Sequence, residues 1–322
     1  MKKLLLIAGG STLVYAGLAL LMGVLPGIML SQTPPGPGVK PLTPLEAEGR
    51  AIYVANGCSY CHTQQVRPLA QDKVFGRPSA PGDFAYQTPE LLGSERTGPD
   101  LTNIGARQPS AVWQYIHLYN PRAVVPESIM PSFSWMFAVV AKAPEGVSPV
   151  PVPKAFAPVK GVVVPTHEAE ALLAYLMSLK QTPLPGADQM SASALPQPAP
   201  AAAAAGTAAT GYDPAKGKAL FSANCAVCHQ ESGEGLPGAF PPLKGNKAVN
   251  DDDATQHIHA VLHGVEGVVI DGVHYDSQMP PFADTLSDAE IADIIDYERS
   301  SWGNHGKPVT AKDVAAVRAK GK

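Results

Sequence analysis

The sequence predicts a mainly helical chain: one N-terminal transmembrane helix, then two small helical domains joined by a Pro/Ala-rich linker. Three observations predict it. An uncharged, mostly apolar run occupies Leu4–Leu30, longer than the roughly 20 residues that span a bilayer. Two later stretches repeat each other. Gly49-Arg-Ala-Ile-Tyr-Val-Ala-Asn-Gly-Cys58 parallels Gly217-Lys-Ala-Leu-Phe-Ser-Ala-Asn-Cys225, with Gly57 as the one insertion, and Ser128-Ile-Met-Pro-Ser-Phe133 parallels Ser277-Gln-Met-Pro-Pro-Phe282. A module used twice implies a chemistry used twice. Between the copies, residues 181–212 include LPQPAPAAAAAGTAATG and no Lys or Arg. Such a segment has little to bury and reads as a linker.

Residues 1–30 form the anchor. The apolar run exceeds the roughly 7–15 residues of a signal-peptide core, and no clear A-x-A site follows it, so it is expected to be retained. Lys2 and Lys3 precede it and should stay in the cytoplasm, placing the rest of the chain on the periplasmic or outer face of the inner (plasma) membrane. Pro26 and Gly27 predict a kink or an end near that face. Residues 31–43 are a Pro-rich spacer. A first domain covers 44–180, the linker 181–212, a second domain 213–304 and a charged tail 305–322. A flexible linker of that length spans roughly 30 Å, more if Pro keeps it extended. Amphipathic helices are predicted at Leu45–Ala55 and Pro214–Ala223, each leading into a Cys motif, with closing helices at Glu168–Leu179 and Asp288–Trp302. Ser287 and Glu290 make a capping box for the last. The one strand candidate is Val159–Val164. A formal net charge of -4 and a pI near 6.1 argue against nucleic acid as a partner, because no basic excess exists to neutralise phosphates.

All four cysteines lie in two C-x-x-C-H motifs, Cys58/Cys61/His62 and Cys225/Cys228/His229. This is the attachment signature of c-type haem. Two thiols one helical turn apart can add to the vinyl groups on one porphyrin edge, and the adjacent His then donates a ring nitrogen to the iron. A thioredoxin-like dithiol would need a βαβ context that is missing. A zinc site pooling both Cys pairs would have to reach across the linker. Two covalently bound haems c are therefore expected. Met130 and Met279, each in an S-x-M-P-x-F segment, are the expected sixth ligands, since a thioether opposite His raises the potential. Met136 and Met177 are the rivals for Met130, and core packing is the alternative for any Met. Pro99, and Pro241 or Pro242, are candidates to accept the other ring N–H of the proximal His through a backbone carbonyl. His257, His259 and His263 read as surface or packing residues; His117 as a haem-edge or interface residue; His167 as a helix cap; His274 and His305 as surface. Two six-coordinate irons leave no open position, so the chain alone should relay electrons without catalysing a reaction.

The first domain resembles the mono-haem, FixO-like subunit II of cbb-type, C-family haem–copper cytochrome c oxidases. The carrying segments are GCSYCHTQQVRP (57–68), ERTGPDLTNIGARQPS (95–110), WQYIHLYNPRAVVPESIMPSF (113–133) and EAEALLAYLMSL (168–179). The resemblance implies that Arg67 pairs with a haem propionate and that Arg96 and Arg122 face haem or the catalytic subunit. The second domain resembles class I cytochromes c through GKALFSANCAVCHQ (217–230), YDSQMPPF (275–282) and LSDAEIADIIDYERSSWGN (286–304). A FixO-like subunit normally ends after one haem domain, so the fused domain is expected to take over electron entry. Val139–Val164 is Pro-rich and reads as an insertion. The implied partners are a haem–copper catalytic subunit and, as donor, a cytochrome c or a quinol-oxidising complex. A nitric oxide reductase subunit and a di-haem peroxidase are the competing functions. QQVRP and HLYNPR favour the oxidase over the first, and the two Met-Pro segments argue against the second.

Overall fold

A computed structural model describes residues 2–182, 213–275, 277–283 and 285–321. It is mainly helical. The linker reading of 181–212 falls almost wholly outside these residues. By packing, the described chain divides into two compact units, 2–104 with 178–182, and 105–177 with 213–321. The division at 104/105 cuts inside the span 44–180 drawn from the repeat.

In the first unit, Lys2–Met29 is an exposed helical run of mean hydropathy 2.0, long and apolar enough to cross a membrane. Ser11 and Thr12 turn their hydroxyls back onto Ile7 O and Ala8 O, at 2.8 and 2.9 Å, so both polar groups are paired within the helix. The helix does not end at Pro26. A π turn at Leu20–Val24 joins α1 (Lys2–Ala19) to α2 (Leu25–Ser31). Proline has no N–H and crowds the carbonyl four residues back; a widened turn just before it relieves both problems. The next helix, α3 (Pro44–Ala55), starts on a Thr43/Glu46 capping box with Pro44 in its first turn and buries Tyr53. It stops at Gly57, whose φ of 71° is left-handed, a conformation that favours glycine. From there to Asp100 the unit is mostly irregular, held by side chains instead of a ladder.

The second unit starts with α4 (Ile104–Arg107, from the last residue of the first) and α5 (Ala111–Tyr119), capped by Ser110 and burying Trp113, Gln114, Ile116 and Leu118. Strands β1 (Phe137–Val140) and β2 (Val162–Pro165) pair antiparallel, Phe137 opposite Pro165. Tyr115 and Tyr119 meet Phe137 edge-on at 6.0 and 5.5 Å. Helix α6 (His167–Ser178) buries Leu172 and Tyr175.

Further along this unit come α7 (Pro214–Asn224), α8 (Ala226–His229), α9 (Lys247–Asn250), α10 (Thr255–His263), hairpin β3 (Val268–Ile270) and β4 (Val273–Tyr275), α11 (Asp288–Ser300) and α12 (Ala311–Arg318). Helix α7 lies on α11 through Phe221 and Ile294, with Tyr297 and Trp302 packed beside them. A second cluster joins Ile258, Leu262, Ile291 and Ile295 to Val309, Val314 and Val317. This corrects the expected charged tail at 305–322. A Thr310/Asp313 capping box starts α12, Arg318 bonds back to Asp288 and Leu286 O, and its valines complete the core.

Candidate functional site

The first C-x-x-C-H motif follows directly on α3. Gly57 breaks the helix, Cys58–Tyr60 form a 3-10 turn, and His62 N donates to Cys58 O at 3.0 Å. His62 Nδ1 lies 2.7 Å from Pro99 O. A carbonyl oxygen only accepts, so the proton is on Nδ1 and Nε2 keeps its lone pair for a metal. Burial lowers the His62 pKa, against the opposing effects of Pro99 and Asp100, which favours the neutral, ligating form. The loop from 96 to 101 is drawn against the motif. Gly98 N donates to Cys61 O at 2.9 Å, and a Cβ on Gly98 would stand 2.2 Å from His62 Cε1.

A buried charge network holds this loop, and sequence reasoning missed its acids. Asp72 is fully buried. It accepts from Arg67 N, Nε and Nη2 at 2.8, 3.0 and 2.9 Å, and from Arg96 Nη1 and Nη2 at 2.7 and 2.8 Å. Burial alone would raise the Asp72 pKa, but these hydrogen bonds outweigh it and hold the carboxyl well below the usual range. Arg96 also donates to Thr63 Oγ1 and Gln65 O, both at 2.8 Å, and stacks over Phe75. Asp100 accepts from Thr63 Oγ1 at 2.5 Å and from Gln65 N and Thr102 N. The network therefore ties residues 63–67 to 96–102, on either side of His62 and Pro99. Arg67, expected from the resemblance to pair with a propionate, and Arg96, expected to face haem or the catalytic subunit, are both engaged on Asp72. Arg122 is exposed.

The second motif is built the same way on an apolar base. Asp213 caps α7, Cys225 N donates to Phe221 O, and His229 N donates to Cys225 O at 3.0 Å. His229 Nδ1 lies 2.9 Å from Pro241 O; Pro242 O instead takes Asn246 Nδ2 at 3.0 Å. Gly235, at φ +63°, lets Phe240 O and Pro241 O approach where a Cβ would come within 2.6 Å. Met279 sits on an isolated antiparallel bridge to Val265, its N donating to Val265 O at 2.8 Å. Ser277 Oγ donates to Ala239 O, so the Met loop and the Pro241 loop are tied together. Met130 belongs to the second unit, half-buried, its N donating to Ser128 Oγ at 3.3 Å. Its rival Met136 is 1% exposed and serves as core.

The thiols separate the chemical readings. Burial pushes Cys58 up to about 11 and Cys228 up to about 12, and Cys225 well above its usual value. A redox dithiol needs the opposite shift. Among the described residues no cluster of three or more His, Cys, Asp or Glu that could hold a metal ion is found. Paired thiols beside a His whose Nδ1–H is held by a carbonyl, leaving Nε2 free to ligate, fit haem c attachment. The remaining histidines take structural places. His257 Nε2 pairs with buried Glu298 at 2.7 Å, the His259 and His263 rings stand 4.6 Å apart, and His117 stacks on Trp113.

Comparison with known proteins agrees with this chemistry. Residues 2–150 match the family "Cytochrome C oxidase, mono-heme subunit/FixO", and residues 214–302 match "Cytochrome c". The chain is 38% identical over 111 residues to cytochrome c-552 of Thermus thermophilus, covering 32% of this chain and 84% of that one. It is 36% identical over 106 residues to the cytochrome c subunit of a quinone-dependent alcohol dehydrogenase of Gluconobacter oxydans, covering 33% of this chain and 22% of that subunit. It is 36% identical over 110 residues to the gluconate 2-dehydrogenase cytochrome c subunit of Pantoea cypripedii, covering 34% of this chain and 25% of the relative. Covalent haem c and electron transfer follow from these matches. The chain belongs to the cytochrome c family, with a FixO-type mono-haem oxidase-subunit domain at its N-terminus and a cytochrome c domain at its C-terminus.

Proposed function

We propose that the chain is the electron-transfer subunit of a membrane respiratory terminal oxidase and carries two haems c. One is attached to Cys58 and Cys61 with His62 and Met130 on the iron; the other to Cys225 and Cys228 with His229 and Met279. The observation that supports this most is the repeated hydrogen bond from a motif His to a proline carbonyl, His62 to Pro99 and His229 to Pro241, in a chain whose N-terminal half resembles an oxidase subunit. Haem, when bound, supplies reversible one-electron iron chemistry. The protein's part would be to fix the imidazole tautomer at His62 and His229, to offer the Met130 and Met279 thioethers as further ligands, and to exclude water through the buried loops around both motifs. Electrons enter from a cytochrome c or a quinol-oxidising complex at the C-terminal domain, pass to the N-terminal domain and leave to a haem–copper catalytic subunit. The domains span 44–180 and 213 to the end of α12, with the Lys2–Met29 helix as a single-pass anchor in the inner membrane and both haem domains on its periplasmic or outer face.

The dehydrogenase cytochrome subunits among the relatives support a second reading, a relay subunit of a membrane dehydrogenase. One experiment separates the two. The complex is purified from membranes, its haem c counted by pyridine haemochrome, and its partners identified by mass spectrometry. Two haems c per chain, a weak far-red Met–iron band and a multi-helix haem–copper partner are expected. A flavin or quinoprotein dehydrogenase partner selects the second reading. A high-spin haem with no partner overturns both.

A further inference from the structure

Residues 105–177 pack in one compact unit with the C-terminal domain, and two contacts join them at the second haem motif. Trp113 Nε1–H donates to Val227 O at 3.1 Å, and Gln108 Nε2 lies 3.7 Å from Cys228 Sγ. Both side chains come from the N-terminal domain and both are only 7% exposed. Val227 lies in α8, a single turn whose end carbonyls have no partner within the helix; Trp113 satisfies one of them from outside. The donors are themselves held in place. Ser110 Oγ accepts from Trp113 N at 3.2 Å, the indole stacks on His117 at 4.6 Å with a 12° tilt, and Gln114 Nε2 donates to Gln108 O at 3.1 Å. Neither contact needs a free thiol. A thioether sulfur keeps its lone pairs, and the Val227 carbonyl takes no part in haem attachment.

We propose that Gln108 and Trp113 form an intramolecular docking surface for the Cys225–His229 turn, so that the C-terminal domain is seated on residues 105–119 and not merely tethered. The geometry stands independently of the haem assignment. Its purpose rests on the proposed function: a seated turn holds the second haem motif at one place on residues 105–119 during a one-electron transfer in which no bond or proton moves.

The test uses the full, haem-loaded chain with a specific protease site inserted between 183 and 212. After cutting, the dissociation constant of the two fragments is measured by sedimentation with absorbance at 280 nm. A flexible tether supplies an effective concentration on the order of 1 mM, so that value is the criterion. A dissociation constant below it, raised about tenfold or more by Trp113→Phe and by Gln108→Leu but not by exposed Trp135→Phe, is the expected result. Far-UV circular dichroism and the haem spectrum confirm that each variant is folded. A dissociation constant above about 1 mM, or one that neither Trp113→Phe nor Gln108→Leu changes, overturns the docking. Haem counted on the same sample tests the two-haem reading separately; a count below two overturns that reading and leaves the docking result intact.

Discussion

Gly98→Ala should disturb the first haem site without touching a ligand. A Cβ at this position would lie 2.2 Å from His62 Cε1, 2.8 Å from Nδ1 and 2.9 Å from Nε2. Ordinary contact with carbon needs about 3.5 Å, so the ring must retreat by roughly 1.3 Å. Added to the present Nδ1···O separation of 2.7 Å, a retreat of that size ends the hydrogen bond to Pro99 O. Overpacking of this kind costs about 1–3 kcal/mol of stability. The redox consequence has a definite sign. An Nδ1–H that donates to a carbonyl makes Nε2 a stronger ligand, which favours ferric iron, so losing the bond raises the potential. A one-electron couple moves by about 59 mV per tenfold change. A hydrogen bond worth about 1 kcal/mol, felt wholly in the ferric state, therefore moves it by about 40 mV. The assay is a spectroelectrochemical titration of the full chain, with urea unfolding alongside. One of two haem potentials should rise by up to about 40 mV. Pro99→Ala keeps the carbonyl and should leave both potentials in place. Unchanged potentials in Gly98→Ala, or a shift of equal size in Pro99→Ala, would refute the reasoning.

Three further outcomes are expected. In Gly264→Ala, a Cβ would meet Met279 O at 2.4 Å at a φ of +74°, so the Met loop moves and one haem loses its far-red Met–iron band while haem content stays constant. Burial pushes the Asp296 carboxyl up to about 6, so the native state keeps a proton that the unfolded chain releases near pH 4. Stability then falls as pH rises from about 4 to about 6, by at most about 3 kcal/mol. Asp296→Asn, which can still accept from Val309 N, should remove that slope in urea melts taken across this range. Truncation after Asn304 removes Val309, Val314 and Val317, all buried. At about 1.5–3 kcal/mol each this costs at least about 4 kcal/mol, and differential scanning calorimetry should show the C-terminal transition collapse; an unchanged transition would mean α12 is not part of that core.

The helices that lead into and close each domain were legible by their period, and the last also by its cap. Ser287 with Glu290 marks a start that the structure reproduces, while the Thr43/Glu46 box and the Asp213 cap are found in the structure. The β3–β4 hairpin is legible in the sequence as well. Asp271-Gly272 between two Val-rich segments is a strong two-residue hairpin signal, and both residues have positive φ. Helix α12 was hidden by the lysines of residues 305–322, three of which lie outside it, while its Val314 and Val317 are buried. The Asp72 network could not be read. Asp72 in Gln71-Asp-Lys-Val74 has the local context of any surface acid, and only the folding of residues 63–67 against 96–102 brings two guanidinium groups onto it. The proline carbonyls are an intermediate case. Proline between the His and the Met narrows the candidates, but only the backbone path selects Pro241 over Pro242.

The two copies of the module keep the same His–carbonyl contact but support it differently, and the insertion at Gly57 marks the divergence. In the C-terminal copy the motif continues from α7 with Cys225 still bonded to Phe221, whose fully buried ring anchors the turn in the α7–α11 core. In the N-terminal copy the left-handed Gly57 takes the motif out of line with α3, and Cys58 and Cys61 are more exposed than Cys225. Tyr53, the counterpart of Phe221, is buried too, but Gly57 stands between its helix and the motif, and a buried carboxylate taking five hydrogen bonds from two arginines holds the loop that faces it. Apolar packing fixes a position with little orientation; a bidentate charge network fixes both. The first His therefore owes its orientation to groups distant in sequence. That explains why a short C-x-x-C-H motif identifies the chemistry of both sites equally well yet says nothing of what steadies either one.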